Sequence, residues 1–143
     1  MVKVIKIEVS TIAHATEDIN KVKKALLNII DPELKKHAKI KTTTVKGYYG
    51  NPITLLKLIL RGNKASKAFS YILSKLDPME KKLLSLSLEE RLDRTNNLYI
   101  RLSKQDAYLG RLRIFEGDDV IKIIVSLPKD ITVDQLKRIL SET

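Results

Sequence analysis

Few residues in this chain have the types and spacing that catalysis needs. The two histidines, His14 and His37, stand far apart. His14 closes the first strand-like run, where a structural hydrogen bond suits it as well as a functional one. His37 lies among lysines and is expected to face solvent. Cysteine is absent, which removes disulfides, thiolate metal sites and cysteine nucleophiles together and suits a reducing compartment. No serine sits in a nucleophile elbow, and no glycine pattern forms a phosphate loop. Glu116, Asp118 and Asp119 are close enough to hold Mg²⁺ for a nuclease, or to be simply a polar hairpin turn. The reading favoured here is no enzyme, no catalytic residue, no cofactor and no metal.

The stronger chemistry is attraction of a polyanion. Between Glu33 and Asp77 there is no acidic residue, while Lys35, Lys36, Lys39, Lys41, Lys46, Lys57, Arg61, Lys64, Lys67 and Lys75 all fall in that stretch. The net charge is +10, from 27 basic and 17 acidic residues, so this one segment carries the whole excess. Such a field steers a polyanion, and counterion release makes phosphate binding appreciable without base contacts. A solvated surface of lysines is the bland alternative.

Two further groups fit the same ligand. Gly47-Tyr48-Tyr49-Gly50-Asn51-Pro52 pairs two glycines with two tyrosines, beside Lys46. The glycines permit close backbone approach, the rings offer stacking surfaces, and Asn51 adds a polar contact. The spacing is like a KH glycine loop, but that loop joins helices and this one is expected to join strands. A tight connection with packed tyrosines is equally open. The second group is a sheet face. Tyr99, Arg101, Arg111, Arg113 and Lys122 alternate with apolar residues, so in neighbouring strands they would form one basic surface containing an aromatic. An ordinary solvated sheet face selects the same residues.

Elements that would position these groups follow from periodicity. Ile5, Ile7 and Val9 alternate with polar residues and predict a strand. Thr16 is expected to cap a helix carrying Ile19, Val22, Leu26 and Ile29, which ends at Asp31-Pro32. Strands are expected over 38–46 and 53–61. A helix capped by Asn63 follows, then one started by Asp77-Pro78, then a short one with a Ser87/Glu90 capping box. After a break at Asn96-Asn97 come strands at Leu98–Leu102, Leu112–Ile114 and Ile121–Val125. Ser103 to Gly110 reads as a helical turn. Thr132 and Gln135 form a capping box for the last helix. The order β-α-β-β-α-α-β-β-β-α predicts an α+β fold, helices on one face of a mostly antiparallel sheet and the other face open.

At 143 residues and 43% hydrophobic, the chain fits one compact domain over 1–143 with a real core. No apolar run reaches membrane-span length, and the opening residues read as a strand and not as a signal peptide. A cytoplasmic setting is expected.

Three segments carry a resemblance: Thr11–Asp18 (TIAHATED), Gly47–Ile53 (GYYGNPI), and Leu98–Gln105 (LYIRLSKQ) followed by Ala107 and Gly110. Together they resemble an archaeal family of predicted RNA-binding, exosome-associated proteins. Its fold is similar to that of the ribosomal protein that binds 5S ribosomal RNA. The resemblance spans most of the chain. It implies a two-layer α+β fold, an archaeal cytoplasmic setting, RNA of structured or ribosomal type as partner, and exosome components as further partners. It supplies no catalytic residue. Ser103 stands where the family pattern often has Asp, which leaves an ion-pair role there in doubt. The residues expected to hold RNA are Lys39, Lys41, Lys46, Tyr48, Tyr49, Asn51, Arg61, Lys64, Tyr99, Arg101, Lys104, Gln105, Arg111 and Arg113. The competing functions are a subunit whose basic face meets an acidic protein, and a metal-dependent nuclease built on the acidic turn.

Overall fold

The computed structural model describes residues 2–47 and 49–143. Its strands are β1 (Lys6–Ala13), β2 (Lys41–Lys46), β3 (Pro52–Arg61), β4 (Asn97–Ser103) and β5 (Val120–Ser126). Its helices are α1 (Ile19–Leu27), α2 (Pro32–Lys35), α3 (Asn63–Lys75), α4 (Pro78–Leu86), α5 (Leu88–Arg91), α6 (Lys104–Tyr108) and α7 (Val133–Glu142). The strands form one sheet in the order β2-β3-β1-β5-β4, with every pairing antiparallel. This is the α+β class that the element order predicts.

Alternation decides which face is covered. Ile7 and Val9 on β1, Leu56, Leu58 and Leu60 on β3, Leu98 and Ile100 on β4, and Ile121, Ile123 and Val125 on β5 are all buried. Helices α1 and α3 pack over β1 and β3, α5 and α6 over β4, and α7 over α4 and α5. Phe69, Ile72 and Leu73 of α3 are fully buried in that layer. Each such side chain contributes on the order of 1.5–3 kcal/mol by leaving water. Buried Ser66 accepts from the Val4 amide at 2.9 Å and ties the N-terminal segment to α3. Edge strand β2 is different: all six of its residues are exposed, so no helix covers it.

Local signals were read correctly where one residue decides the geometry. Asp77 accepts from the Glu80 amide at 2.9 Å to start α4. Thr132 and Gln135 make their reciprocal capping box. Asn96 takes the left-handed conformation at the break before β4, with φ 59°. Ser103 caps α6 by accepting from Asp106, and Gly110, with φ 83°, lies just past its end.

Four expectations are corrected. Thr16 does not cap α1. The chain first closes a turn, Glu17 donating to the His14 carbonyl, and Asp18 then accepts from Asn20 at 2.9 Å. Asn63 is already helical. The reversal out of β3 needs positive φ, and Gly62 supplies it at 62°. Ser87 makes no side-chain cap for α5; its hydroxyl donates to the Leu83 carbonyl at 2.7 Å and closes α4 instead. Finally, Leu112–Ile114 is no strand. It touches β4 through a bridge from Ile114 to Leu102, while the Ile114 amide donates to the buried Glu80 carboxylate at 2.9 Å. The Ser103 amide donates to the Arg113 carbonyl and the Phe115 amide to the Arg101 carbonyl, so the segment lies along β4 through one bridge, and Glu80 takes the Ile114 amide that points away from β4.

Candidate nucleic-acid interface

The strands bring cations from distant parts of the chain into register. Lys41 lies opposite Lys57, Lys57 opposite Ser10, Ser10 opposite Lys122, and Lys122 opposite Arg101. One transverse row on the open face therefore reads Lys41, Lys57, Ser10, Lys122, Arg101 across all five strands. At ordinary strand spacing it is roughly 19 Å long. All four cations are exposed. Among the described residues, Lys41, Lys122 and Arg101 make no ion pair, while Lys57 reaches Glu8 at 3.8 Å.

Two residues along the strands lies a second row of Ile59, Glu8, Ile124 and Tyr99. Two residues further come Arg61, Lys6, Ser126 and Asn97. On the other side, Thr43, Leu55 and Ile12 adjoin the cationic row, with Leu55 and Ile12 well exposed. Glu8 is the only acidic residue in any of the five strands. A groove of about 550 Å³ runs past Ser10, Ile12, Leu55, Lys57, Arg101 and Lys122 to Asp118. The surface is strongly positive, partly aliphatic and poor in aromatic rings.

Tyr99 is the aromatic within the strands of this face, and Phe115 adjoins them beside Arg101. It is half-buried, and its hydroxyl donates to Asp93 at 3.1 Å. That bond raises the Tyr99 pKa above the ordinary tyrosine value. Asp93 also accepts from the Asn97 and Thr95 amides, and the Asn97 bond leads in lowering its pKa to about 2.

Lys104 leaves the expected surface. It is 4% exposed, and its ammonium donates to the Ile12 carbonyl at 2.7 Å. It pairs with Glu17 at 3.2 Å and Asp119 at 2.9 Å. Burial alone would raise the Asp119 pKa, but the hydrogen bonds from Lys104 and Gln105 and the Lys104 charge outweigh it and hold it low. Lys104 thus pins α6, the first strand and the acidic turn together, because an ammonium this buried needs anionic and carbonyl partners. Gln105 is exposed but donates to Asp119 at 3.2 Å. Glu116 pairs with Arg91 at 2.7 Å. Two of the three acidic-turn residues are therefore engaged by cations.

Arg111 and Arg113 are exposed and stand near Asp106 and Glu80 respectively, each at 3.8 Å, with the Arg113 carbonyl accepting from the Ser103 amide at the end of β4. The bridge sets Arg113 beside Ser103 and not beside Tyr99, and it is Phe115 that stands beside Arg101. Lys39 is exposed in the connection before β2, Lys46 ends β2, and Lys64 is exposed in the first turn of α3. In the loop, Gly47 donates to the Asn51 carbonyl, and Gly50 takes φ 81°. A Cβ on Gly47 would sit 2.8 Å from the Ile53 side chain. The glycines thus make a tight strand connection. Tyr49 is 87% exposed and Asn51 is exposed. Tyr48 lies outside the described residues.

Of the residues expected to hold RNA, Lys41, Arg61, Tyr99 and Arg101 share the open face. Lys6, Lys57 and Lys122 join them and were left out of that set. Their polar-in-apolar alternation was a visible signal, but strand neighbourhood was not.

Comparison with known proteins gives the family. Residues 6–127 match the RNA_binding family model, described as RNA binding. Protein MJ0213 of Methanocaldococcus jannaschii is 37% identical over 121 residues, 82% of this chain and 80% of that protein. RNA-binding protein PAB1135 of Pyrococcus abyssi is 33% identical over 123 residues, 85% of this chain and 80% of that protein. The crystal structure of protein SSO0741 from Sulfolobus solfataricus, of family DUF54, superposes with a TM-score of 0.82 at 30% identity, covering 96% of this chain and 98% of that one. With a family match over most of its length and relatives above 30% identity, the chain belongs to the archaeal RNA_binding family.

Proposed function

We propose that this protein is a non-catalytic RNA-binding protein that takes the sugar–phosphate backbone on its open sheet face. The observation that carries the reading is the transverse row of Lys41, Lys57, Lys122 and Arg101. Three of these four cations have no ion-pair partner among the described residues, so phosphates meet them without displacing a protein carboxylate. The name of the Pyrococcus abyssi relative supports RNA as the polyanion. Engagement of Asp119 and Glu116 by Lys104 and Arg91 supports binding without cleavage.

The finer role rests on the family resemblance: an accessory of the archaeal exosome or of ribosomal RNA processing, in the cytoplasm, with structured or ribosomal-type RNA as ligand. The likeness to the 5S-RNA-binding ribosomal protein belongs to the same proposal.

Fluorescence anisotropy across salt concentrations tests the binding. Four phosphate contacts predict a slope of about −2.8 in log affinity against log salt for single strands. The double variant Lys57→Gln, Lys122→Gln flattens it by about 1.4. A flat response, or tighter binding to polyglutamate than to RNA, overturns the assignment. Mg²⁺-dependent cleavage that disappears in Asp118→Asn overturns its non-catalytic part.

A further inference from the structure

The arrangement of charge on the open face bears on which form of RNA it takes. This inference rests on the RNA-binding reading above and deepens it.

A surface that captures single strands stacks their bases on aromatic rings. Among the described residues two rings adjoin the open face: Tyr99, half-buried and with its hydroxyl bonded to Asp93, and Phe115, beside Arg101 at one end of the row. Along the rest of the row the exposed side chains are aliphatic: Ile12, Leu55 and Ile59. These give bases no stacking partner.

Cations instead fall in two lines. The long row ends in Lys41 and Arg101. Lys6 and Arg61, paired directly across β1 and β3, form a second, shorter line. Four residues along the strands separate Lys57 from Arg61, or about 13 Å. The strip between the lines holds Glu8, which lies 3.8 Å from Lys57 at the edge of the long row and whose carboxylate repels phosphate and accepts hydrogen bonds only. One phosphate chain can follow the long row, but it cannot use both lines without crossing that carboxylate. Two phosphate ridges with a groove between them can. The wide, shallow minor groove of A-form RNA has this plan and presents 2′-hydroxyl donors between its ridges.

We infer that the face binds double-stranded RNA across its minor groove. Phosphates of the two strands rest on the two cationic lines, and Glu8 faces 2′-hydroxyl groups between them.

Anisotropy with three labelled probes tests this: an RNA duplex of about 16 base pairs, one of its strands alone in an unstructured sequence, and the matching DNA duplex. The RNA duplex is expected to bind at least about tenfold tighter than the strand and about threefold tighter than the DNA. Arg61→Gln with Lys6→Gln removes the short line. It is expected to flatten the duplex salt slope by about 1.8 and to leave single-strand affinity unchanged. Melting curves establish that the variant is folded, and Arg61→Gln alone, at an exposed position, gives about half the change. Equal or tighter binding of the single strand overturns the inference while leaving RNA binding intact, as does an Arg61→Gln effect equal on both RNAs. Equal binding of the DNA duplex overturns the assignment to A-form. No binding of either RNA at low salt overturns the RNA-binding reading itself.

Discussion

Replacing Lys104 by methionine separates a structural role from an RNA contact. Methionine keeps much of the apolar stem and removes the ammonium. The Ile12 carbonyl then loses a 2.7 Å donor, and Glu17 and Asp119 lose their shared cation. Removing one partner from a fully buried ion pair costs about 3–5 kcal/mol. Here the cation is buried, but the Glu17 and Asp119 side chains are 26% and 42% exposed, so the stranded carboxylates rehydrate. Water screening reduces the cost to about 2–3 kcal/mol. For a domain of this size that lowers Tm by about 6–10 °C. The Asp119 carboxyl, held low in the native protein, moves back up in the variant. Its stabilising effect, present above the ordinary carboxylate pKa and lost as pH falls through its folded value, is then missing from the acid limb. Calorimetry at neutral pH gives Tm, and anisotropy at a temperature where both proteins are folded gives RNA affinity. The expected result is a lower Tm with unchanged affinity. A Tm within about 1 °C of the parent, together with weakened RNA binding, would refute the pin and return Lys104 to the RNA surface.

Other consequences follow from the same geometry. Gly47→Ala places a Cβ 2.8 Å from the Ile53 side chain and 3.0 Å from the Asn51 carbonyl, and is expected to cost about 1–2 kcal/mol by denaturant titration. Gly50→Ala at φ 81° costs about 1 kcal/mol with no clash, so an inverted order would contradict the loop geometry. Asp93 is lowered from 3.8 to about 2. Its stabilising effect is therefore complete above the unfolded value and is lost as pH falls through about 2. The stability difference between the parent and Asp93→Asn should shrink across that window, and a difference independent of pH would contradict the turn network. Glu80→Ala leaves the Ile114 amide without its carboxylate acceptor, at a cost of about 1–3 kcal/mol. Hydrogen exchange at Ile114 should accelerate, and unchanged protection there would contradict the Glu80 bond.

Local chemistry made much of this protein legible. Asp77-Pro78, the Thr132/Gln135 box and the break at Asn96 each act within a few residues, so the sequence displays them directly. Strand alternation likewise exposes which side chains share a face, because the side-chain period of two needs no partner. It told Arg101 and Lys122 from their buried neighbours, and it placed the basic excess in one segment. Misreadings arose where groups distant in the chain set the geometry. Residues 112–114 have the pattern of a strand, but Ile114 alone bridges β4, and its outward amide goes to Glu80 on a distant helix. Lys104 belongs to a polar surface by type, but Glu17 and Asp119 meet it from opposite directions in the chain.

The chain by itself determined the α+β class, the positive charge and the in-or-out choice along each strand. Only the tertiary structure decided that Lys41 and Lys57 stand in one line with Lys122 and Arg101. Register between strands comes from long-range pairing and the burial of a whole face, and a one-residue slip of a strand would turn its cation toward the core. Periodicity along one strand carries no record of which strand lies beside it.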